Sequence, residues 1–316
     1  MPSNGDPGMR RLVVLLGPTA VGKTALSLEL AETLNGEIIS ADSRLIYRGM
    51  DIGVAKPTPE EQARVPHHLL DIVTPDQTLS LAEYQKAACA AIESVQAQGK
   101  LPLLVGGTGQ YITAVVEGWD IPEVAPNPEL RATLEDYAQE HGPQALWQRL
   151  AEQDPAAAEQ IHPHNIRRVI RAIEVFQATG RSITDRRKTP LPYPVLQVGL
   201  ARPRADLYAR IDARIDQMLA TGLVDEVKGL LARGYDRRLA AMSGLGYRQI
   251  VSWLEGEVTF EEAIAELRRA TRDFARRQEV WFRKYNRQAH WFDMTETSHQ
   301  TIIDFVRNWL ESRPYA

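Results

Sequence analysis

Arg11-Leu12-Val13-Val14-Leu15-Leu16-Gly17-Pro18-Thr19-Ala20-Val21-Gly22-Lys23-Thr24 is the stretch that decides the fold. A short apolar run with β-branched residues reads as a strand buried on both faces of a parallel sheet. It stops at a glycine, and Ala25-Leu26-Ser27-Leu28-Glu29-Leu30-Ala31 beyond has helical propensity and an apolar face. Between strand and helix lies the pattern G-x-x-x-x-G-K-T, a P-loop. Gly17 and Gly22 let the backbone curl with positive φ across Pro18, Thr19, Ala20 and Val21, turning successive N–H groups toward one anion. The helix adds its N-terminal dipole. Lys23 supplies a mobile cation, and the Thr24 hydroxyl can ligate Mg2+. Such a loop grips a di- or triphosphate. What the phosphates are attached to is a separate question, since a diphosphate leaving group suits it as well as a nucleotide.

Outward from that unit the pattern repeats. Glu37-Ile38-Ile39-Ser40-Ala41 and Leu101-Pro102-Leu103-Leu104-Val105 are short buried strands, separated by an amphipathic helix over 79–98. Alternation of this kind predicts an α/β fold: a P-loop NTPase or kinase-like parallel sheet with helices on both faces. Near Trp119 the pattern changes. Residues 121–128 are proline-rich, and helical periodicity then covers 130–141, 143–152, 155–161 and 166–179. A second proline-rich hinge, Thr189-Pro190-Leu191-Pro192-Tyr193-Pro194, precedes a return to strand character at 195–200. Residues 121–190 therefore read as an all-helical domain inserted into a core made of 9–120 and 191–316, behind a flexible tail at 1–8. From 207 to 310 the chain reads as mostly helical.

Composition sets limits. The chain has 316 residues, 44% hydrophobic and 25% charged, with net charge -4, enough for one or two domains of ~150 residues. One cysteine, Cys89, excludes an internal disulfide framework. No apolar run approaches ~18 residues and the first residues lack a signal-peptide core, so a cytoplasmic protein without a membrane segment is expected.

The second strand ends in Ala41-Asp42-Ser43, and ligands in open α/β sheets sit beyond the carboxyl ends of the strands. Asp42 thus shares a crevice with the P-loop and can accept a proton from an attacking nucleophile; a Mg2+-shell or helix-capping role is the alternative. The third strand ends in Gly106-Gly107-Thr108-Gly109, where small residues admit a ligand and Thr108 can hydrogen-bond it. Leu69-Leu70-Asp71 reads as a cap or turn rather than a Walker-B strand. His67-His68 and His162-Pro163-His164 lack metal-ligand spacing and read as surface or packed residues.

Two basic stretches stand out against the acidic total. Arg268, Arg269, Arg272, Arg276, Arg277, Arg283, Lys284 and Arg287 are opposed locally only by Asp273 and Glu279, with Phe274, Trp281 and Tyr285 on a neighbouring stripe. Arg167, Arg168, Arg171, Arg181, Arg186, Arg187 and Lys188 form the second. Arginine beside aromatics suits phosphates and unstacked bases; a solvated helix face beside a core stripe is the plainer reading.

The blocks at 17–24, 41–57 (Ala-Asp-Ser-Arg-Leu-Ile-Tyr-Arg-Gly-Met-Asp-Ile-Gly-Val-Ala-Lys-Pro) and 103–111 resemble the tRNA dimethylallyltransferases, also called tRNA isopentenyltransferases. So do Arg167 to Val175, Gly244-Leu245-Gly246-Tyr247-Arg248, and Arg276-Arg277-Gln278 through Trp281-Phe282-Arg283. The resemblance spans about 11–310 in order. It implies transfer of a dimethylallyl group from dimethylallyl diphosphate to the exocyclic amine of the adenosine just 3′ of a tRNA anticodon, by a monomeric enzyme using Mg2+. By the same resemblance Asp42 is the general base, with Thr108 and Lys23 also catalytic. Asp42, Ser43, Arg44, Leu45 and Thr108 contact the target adenosine. Arg131, Arg167, Arg168, Val169, Ile170, Arg171, Ser243 to Arg248, Arg276, Arg277, Gln278, Trp281 and Arg283 contact the tRNA, and the inserted domain clasps the anticodon stem-loop. Either Arg210 or Arg214 helps hold the diphosphate. Val54 and Val280 stand where the family has threonine, and Ser243 where it varies. A small-molecule kinase would leave the arginine stretches and the 41–57 block without a task. An RNA-binding module would not explain Asp42 at the crevice.

Overall fold

A computed structural model describes residues 10–185 and 187–312; the tail at 1–8 and Arg186 lie outside the described residues. Six parallel strands form one sheet in the order β3-β2-β4-β1-β5-β6: β1 Leu12–Leu16, β2 Gly36–Ser40, β3 His67–His68, β4 Leu101–Gly106, β5 Val195–Ala201 and β6 His290–Asp293. The run Leu12-Val13-Val14-Leu15-Leu16 is at the centre because it is apolar on both faces. Val13 and Leu15 pack into one core with Leu103, Val198 and Leu28, whereas Leu12, Val14 and Leu16 pack into the other with Leu104, Tyr84 and Ile92. Each such side chain contributes about 1.5–3 kcal/mol on burial.

From β1 the chain runs toward β2 and β3 on one side; after β4 it passes to β5 on the other. The loops after β1 and β4 therefore diverge at the switch point between these neighbours, where a crevice opens at the carboxyl ends. The helix Lys23–Thr33 follows the first loop. The helix Leu81–Ala97 starts two residues later than its periodicity suggests, because Ser80 and Glu83 close a capping box. The longest helix, Phe260–Tyr285, places Leu267 and Ala275 in one core and Phe282 in the other.

Two strands were not expected. His67–His68 pairs with Ile38 and Ile39, and His290–Asp293 pairs with the end of β5, within a region read as mostly helical. Both are short, polar in part and lie at the sheet's edges, so neither has the apolar run that marks a buried strand. Asp71 follows β3 in a turn: Leu69 and Asp71 have φ of 64° and 54°, and the Asp71 carboxylate accepts from Lys56 Nζ.

The chain divides into two compact units, one running to Val116 and resuming at Leu191, the other Glu117–Pro190. The second contains the helices Pro128–His141, Pro143–Gln153, Pro155–Gln160 and Ile166–Thr179 around Leu134, Leu146, Leu150, Val169 and Ile173. Asp154 and Glu174 are its buried carboxylates among the described residues, and Glu174, 2% exposed, is the one that arginines surround. Glu174 accepts from Arg131 at 2.8 and 3.0 Å, from the Asn127 N–H at 2.7 Å, and from Arg171. Burial alone would raise this carboxyl, but those hydrogen bonds outweigh it and hold the group down to about 2.

The folded pKa of Glu174 is thus below its unfolded value, so its contribution is full above that value and is lost as pH falls from about 4.5 toward about 2. The difference corresponds to on the order of 3 kcal/mol. Glu174→Gln should destabilise this unit at neutral pH by about that amount and flatten its acid profile in that window, read from hydrogen exchange of the Ile166–Thr179 amides. Unaltered protection at neutral pH would contradict this role.

Candidate active site

The P-loop is held open by side chains from four places. Gly17 has φ 156° and a Cβ there would lie 2.7 Å from Leu200 O, so no other residue fits. Lys23 Nζ donates to the Gly17 and Pro18 carbonyls at 2.9 and 2.8 Å. Arg210 Nε donates to Ala20 O at 2.9 Å, and Arg202 Nε to Val21 O at 2.9 Å. The Thr19 N–H donates to Gln278 Oε1 at 2.9 Å. Desolvation in the loop brings the Lys23 ammonium down to about 7; Asp42 opposes that shift and Arg214 adds to it. A lysine so placed gains from an arriving anion.

Asp42 follows β2. Its Oδ1 accepts from the Arg44 N–H at 2.9 Å, which fixes the turn and leaves the carboxylate at the crevice. Thr108 closes the loop after β4: its N–H donates to Ala41 O at 3.1 Å and its Oγ1 accepts from the Ser43 N–H at 3.0 Å. Thr108 therefore braces the Asp42-Ser43 turn from the neighbouring strand.

Two cavities open here. One, of about 110 Å³, is lined by Ala20, Gly22, Lys23, Thr24, Ser40 and Leu45. The other, of about 270 Å³, has an apolar wall of Ile211, Ile215, Met218, Leu245 and Leu267, with Arg44, Arg248 and Arg277 also lining it. Thr19, Asp42, Val54, Ala55, Arg214 and Phe274 line both. An anion seat and an apolar chamber thus meet at one carboxylate.

A family model described as IPP transferase matches residues 45–285. A tRNA dimethylallyltransferase of Roseiflexus sp. (strain RS-1) is 54% identical over 302 residues, 95% of this chain and 99% of that one. The chain belongs to the tRNA dimethylallyltransferase family. Its fold agrees with the crystal structure of the full-length tRNA isopentenylpyrophosphate transferase from Bacillus halodurans, with a TM-score of 0.72 at 44% identity, covering 96% of this chain and 97% of that one. A eukaryotic dimethylallyltransferase described as acting on tRNA gives a TM-score of 0.83 at 25% identity, over 96% of this chain and 80% of its own.

Within this family member, several residues expected to contact tRNA are buried or paired inside the protein. Val169 and Ile170 are core residues of the helical unit, 0% and 3% exposed, because the apolar stripe of Ile166–Thr179 must face its neighbours. Arg131 and Arg171 are engaged by Glu174. Tyr247 is buried and donates to Glu226 Oε1 at 2.6 Å. Gln278 is 6% exposed, inside the crevice. Arg167, Arg168, Arg276, Arg277 and Arg283 are exposed. Ser243, Gly244, Leu245, Gly246 and Arg248 line the larger cavity, and Trp281 packs on Gly109 with its ring centroid 4.4 Å from that of Tyr285 at a tilt of 37°. The long helix is less basic than its sequence, since Asp212 and Asp216 of the helix Arg204–Ala220 pair with Arg272 and Arg268.

Arg202 and Glu226 were missed. Arg202 follows the carboxyl end of β5, a position that could have flagged it. Glu226 accepts from the Asp51, Ile52 and Gly53 N–H groups at 2.8–3.0 Å and so shapes the loop lining the larger cavity; nothing local in the sequence announces that. His68 Nε2 lies 2.6 Å from Glu37, and among the described residues no cluster of three His, Cys, Asp or Glu could hold a metal.

Arg210 and Arg214 differ in their partners. Arg210 commits its Nε to the Ala20 carbonyl, while Arg214 lines both cavities with Nη1 3.5 Å from Thr19 Oγ1. Arg214→Met should weaken inorganic diphosphate binding by roughly tenfold to a hundredfold, the loss of about 1.5–3 kcal/mol from a charge-assisted bond. Arg210→Met should keep most of the affinity and unfold at lower temperature. Equal losses in a calorimetric titration would contradict this division.

Proposed function

We propose that this protein transfers the dimethylallyl group of dimethylallyl diphosphate to the N6 amine of the adenosine 3′-adjacent to the anticodon in tRNA, releasing diphosphate. The observation that carries the reading is Asp42, which lines the P-loop cavity and the arginine-lined apolar cavity together. An adenine amine is conjugated to its ring and is a weak nucleophile. As its nitrogen attacks the first carbon of the donor, the carbon–oxygen bond to diphosphate breaks and the electron pair leaves with the diphosphate. The amine proton passes to the Asp42 carboxylate. Thr108 holds the turn that aims Asp42. Lys23, Arg214 and the loop N–H groups of residues 20–24 stabilise the negative charge that develops on the leaving group.

The residues present fit a divalent ion held mainly by the substrate. Thr24 offers a hydroxyl, and Ser40 Oγ, buried without a partner, belongs to a residue lining the same cavity. Mg2+ bound there by Thr24 and the diphosphate oxygens would neutralise leaving-group charge. The apolar wall of the larger cavity suits a five-carbon chain, and its arginines suit the flanking RNA phosphates. In this reading the target base is flipped out of the stacked loop to reach Asp42. Exposed Arg276, Arg277 and Arg283 hold the tRNA, with Arg167 and Arg168 of the helical unit clasping the anticodon stem-loop. Among the described residues no helix is long and apolar enough to cross a membrane, and we place the enzyme in the cytoplasm as a monomer.

Incubation with prenyl-labelled dimethylallyl diphosphate, Mg2+ and an anticodon stem-loop should label RNA that carries adenosine after the anticodon. RNA with guanosine there should stay unlabelled. Phosphate transfer from ATP with an inert prenyl donor would sink the reading. Asp42→Asn should bind both substrates and lose roughly 10²–10⁴-fold in turnover; near-normal turnover would remove Asp42 as the base.

A further inference from the structure

Gln278 joins the loops that follow β1 and β4. Its Oε1 accepts from the Thr19 N–H of the P-loop at 2.9 Å, and its Nε2 donates to the Gly107 carbonyl, next to Thr108, at 2.8 Å. Both ends of one amide are satisfied inside a side chain that is 6% exposed. The fit is tight as well as polar: a Cβ on Gly107 would lie 2.4 Å from Gln278 Nε2. From Gly107 the chain of contacts continues through Thr108 to Ser43, beside Asp42. On the other side, Thr19 leads to Arg214. The amide thus spans the gap between the loop that seats the donor and the loop that braces the base.

We infer that Gln278 is a positioning residue, a spacer that fixes the distance between the diphosphate seat and the Asp42–Thr108 pair. The inference rests on the prenyl-transfer reading and replaces an RNA contact for this residue. Two reacting atoms must meet at about 3–3.5 Å, and a misplacement of about 1 Å can cost roughly 10²-fold in rate. The strands alone do not set that distance, because the loops after β1 and β4 diverge from the switch point. A planar amide with one donor and one acceptor, packed against a glycine, does.

The test uses the full-length protein and two substitutions. Gln278→Met keeps the volume and loses both hydrogen bonds. It should retain stem-loop affinity within about twofold, lower inorganic diphosphate affinity about tenfold, and slow single-turnover prenyl transfer at saturating substrates roughly 10²-fold. Gln278→Glu keeps the acceptor for Thr19, and only its protonated form can also donate to Gly107. Its rate relative to the unsubstituted protein should therefore rise as pH falls. Loss of stem-loop affinity with an unaltered saturated rate would make Gln278 an RNA contact and overturn the inference. So would a lowered melting temperature with unaltered saturated rate and diphosphate affinity. If the unsubstituted protein transfers no prenyl group, the functional reading fails. The spacer then stands or falls on diphosphate affinity, which must still drop in Gln278→Met.

Discussion

A P-loop is a poor structure by itself, because its N–H groups crowd toward one point. Everything else at this site depends on holding that curl open. Lys23 ties the carbonyls of Gly17 and Pro18, Arg210 and Arg202 take those of Ala20 and Val21, and Gln278 takes the Thr19 N–H. These side chains come from the loop itself, the end of β5, the helix behind it and the longest helix. The cradle is therefore in large part a product of tertiary structure, while the eight residues Gly17 to Thr24 supply its shape and the Lys23 tie. Pre-ordering of this kind removes reorganisation from the chemical step, where fixed dipoles and charges are worth most.

The same constraint organises the second half of the site. In the proposed reaction Asp42 must sit at a set distance from the loop, and its turn is fixed by the Arg44 N–H and by Thr108 across the strand gap. Glu226 does the corresponding job for residues 51–53, holding three backbone N–H groups so that the 41–57 block forms a cavity wall. Gly53 has no side chain because Tyr247 lies where a Cβ would be, 2.6 Å away. Residues 51–53 of that block are thus held in place, with Gly53 part of the cavity wall.

What was legible in the sequence follows the range of the interactions. Periodicity and turn chemistry are local, so β1, β2, β4, β5, the P-loop and the helices of 128–179 could be read from the residues alone. Asp42 and Thr108 could be placed because both follow buried strands at the carboxyl edge. The edge strands β3 and β6 could not, since two and four partly polar residues carry no buried-strand pattern. Charge was the least reliable signal. Arg131 and Arg171 pair with Glu174, which lies far along the chain from Arg131. Asp212 and Asp216 likewise neutralise arginines that face no acid in their own helix. Gln278 and Tyr247 sit in motifs read as RNA-contacting, yet both side chains are buried.

The account stands on the P-loop as the seat of a leaving diphosphate, and one double-label experiment reaches that claim directly. Dimethylallyl diphosphate carrying a carbon label in the prenyl group and a phosphorus label in the diphosphate is incubated with the protein and an anticodon stem-loop. The account predicts the carbon label on the RNA and an equal amount of phosphorus label as free inorganic diphosphate. Phosphorus label on the RNA, or orthophosphate released without carbon transfer, would contradict it.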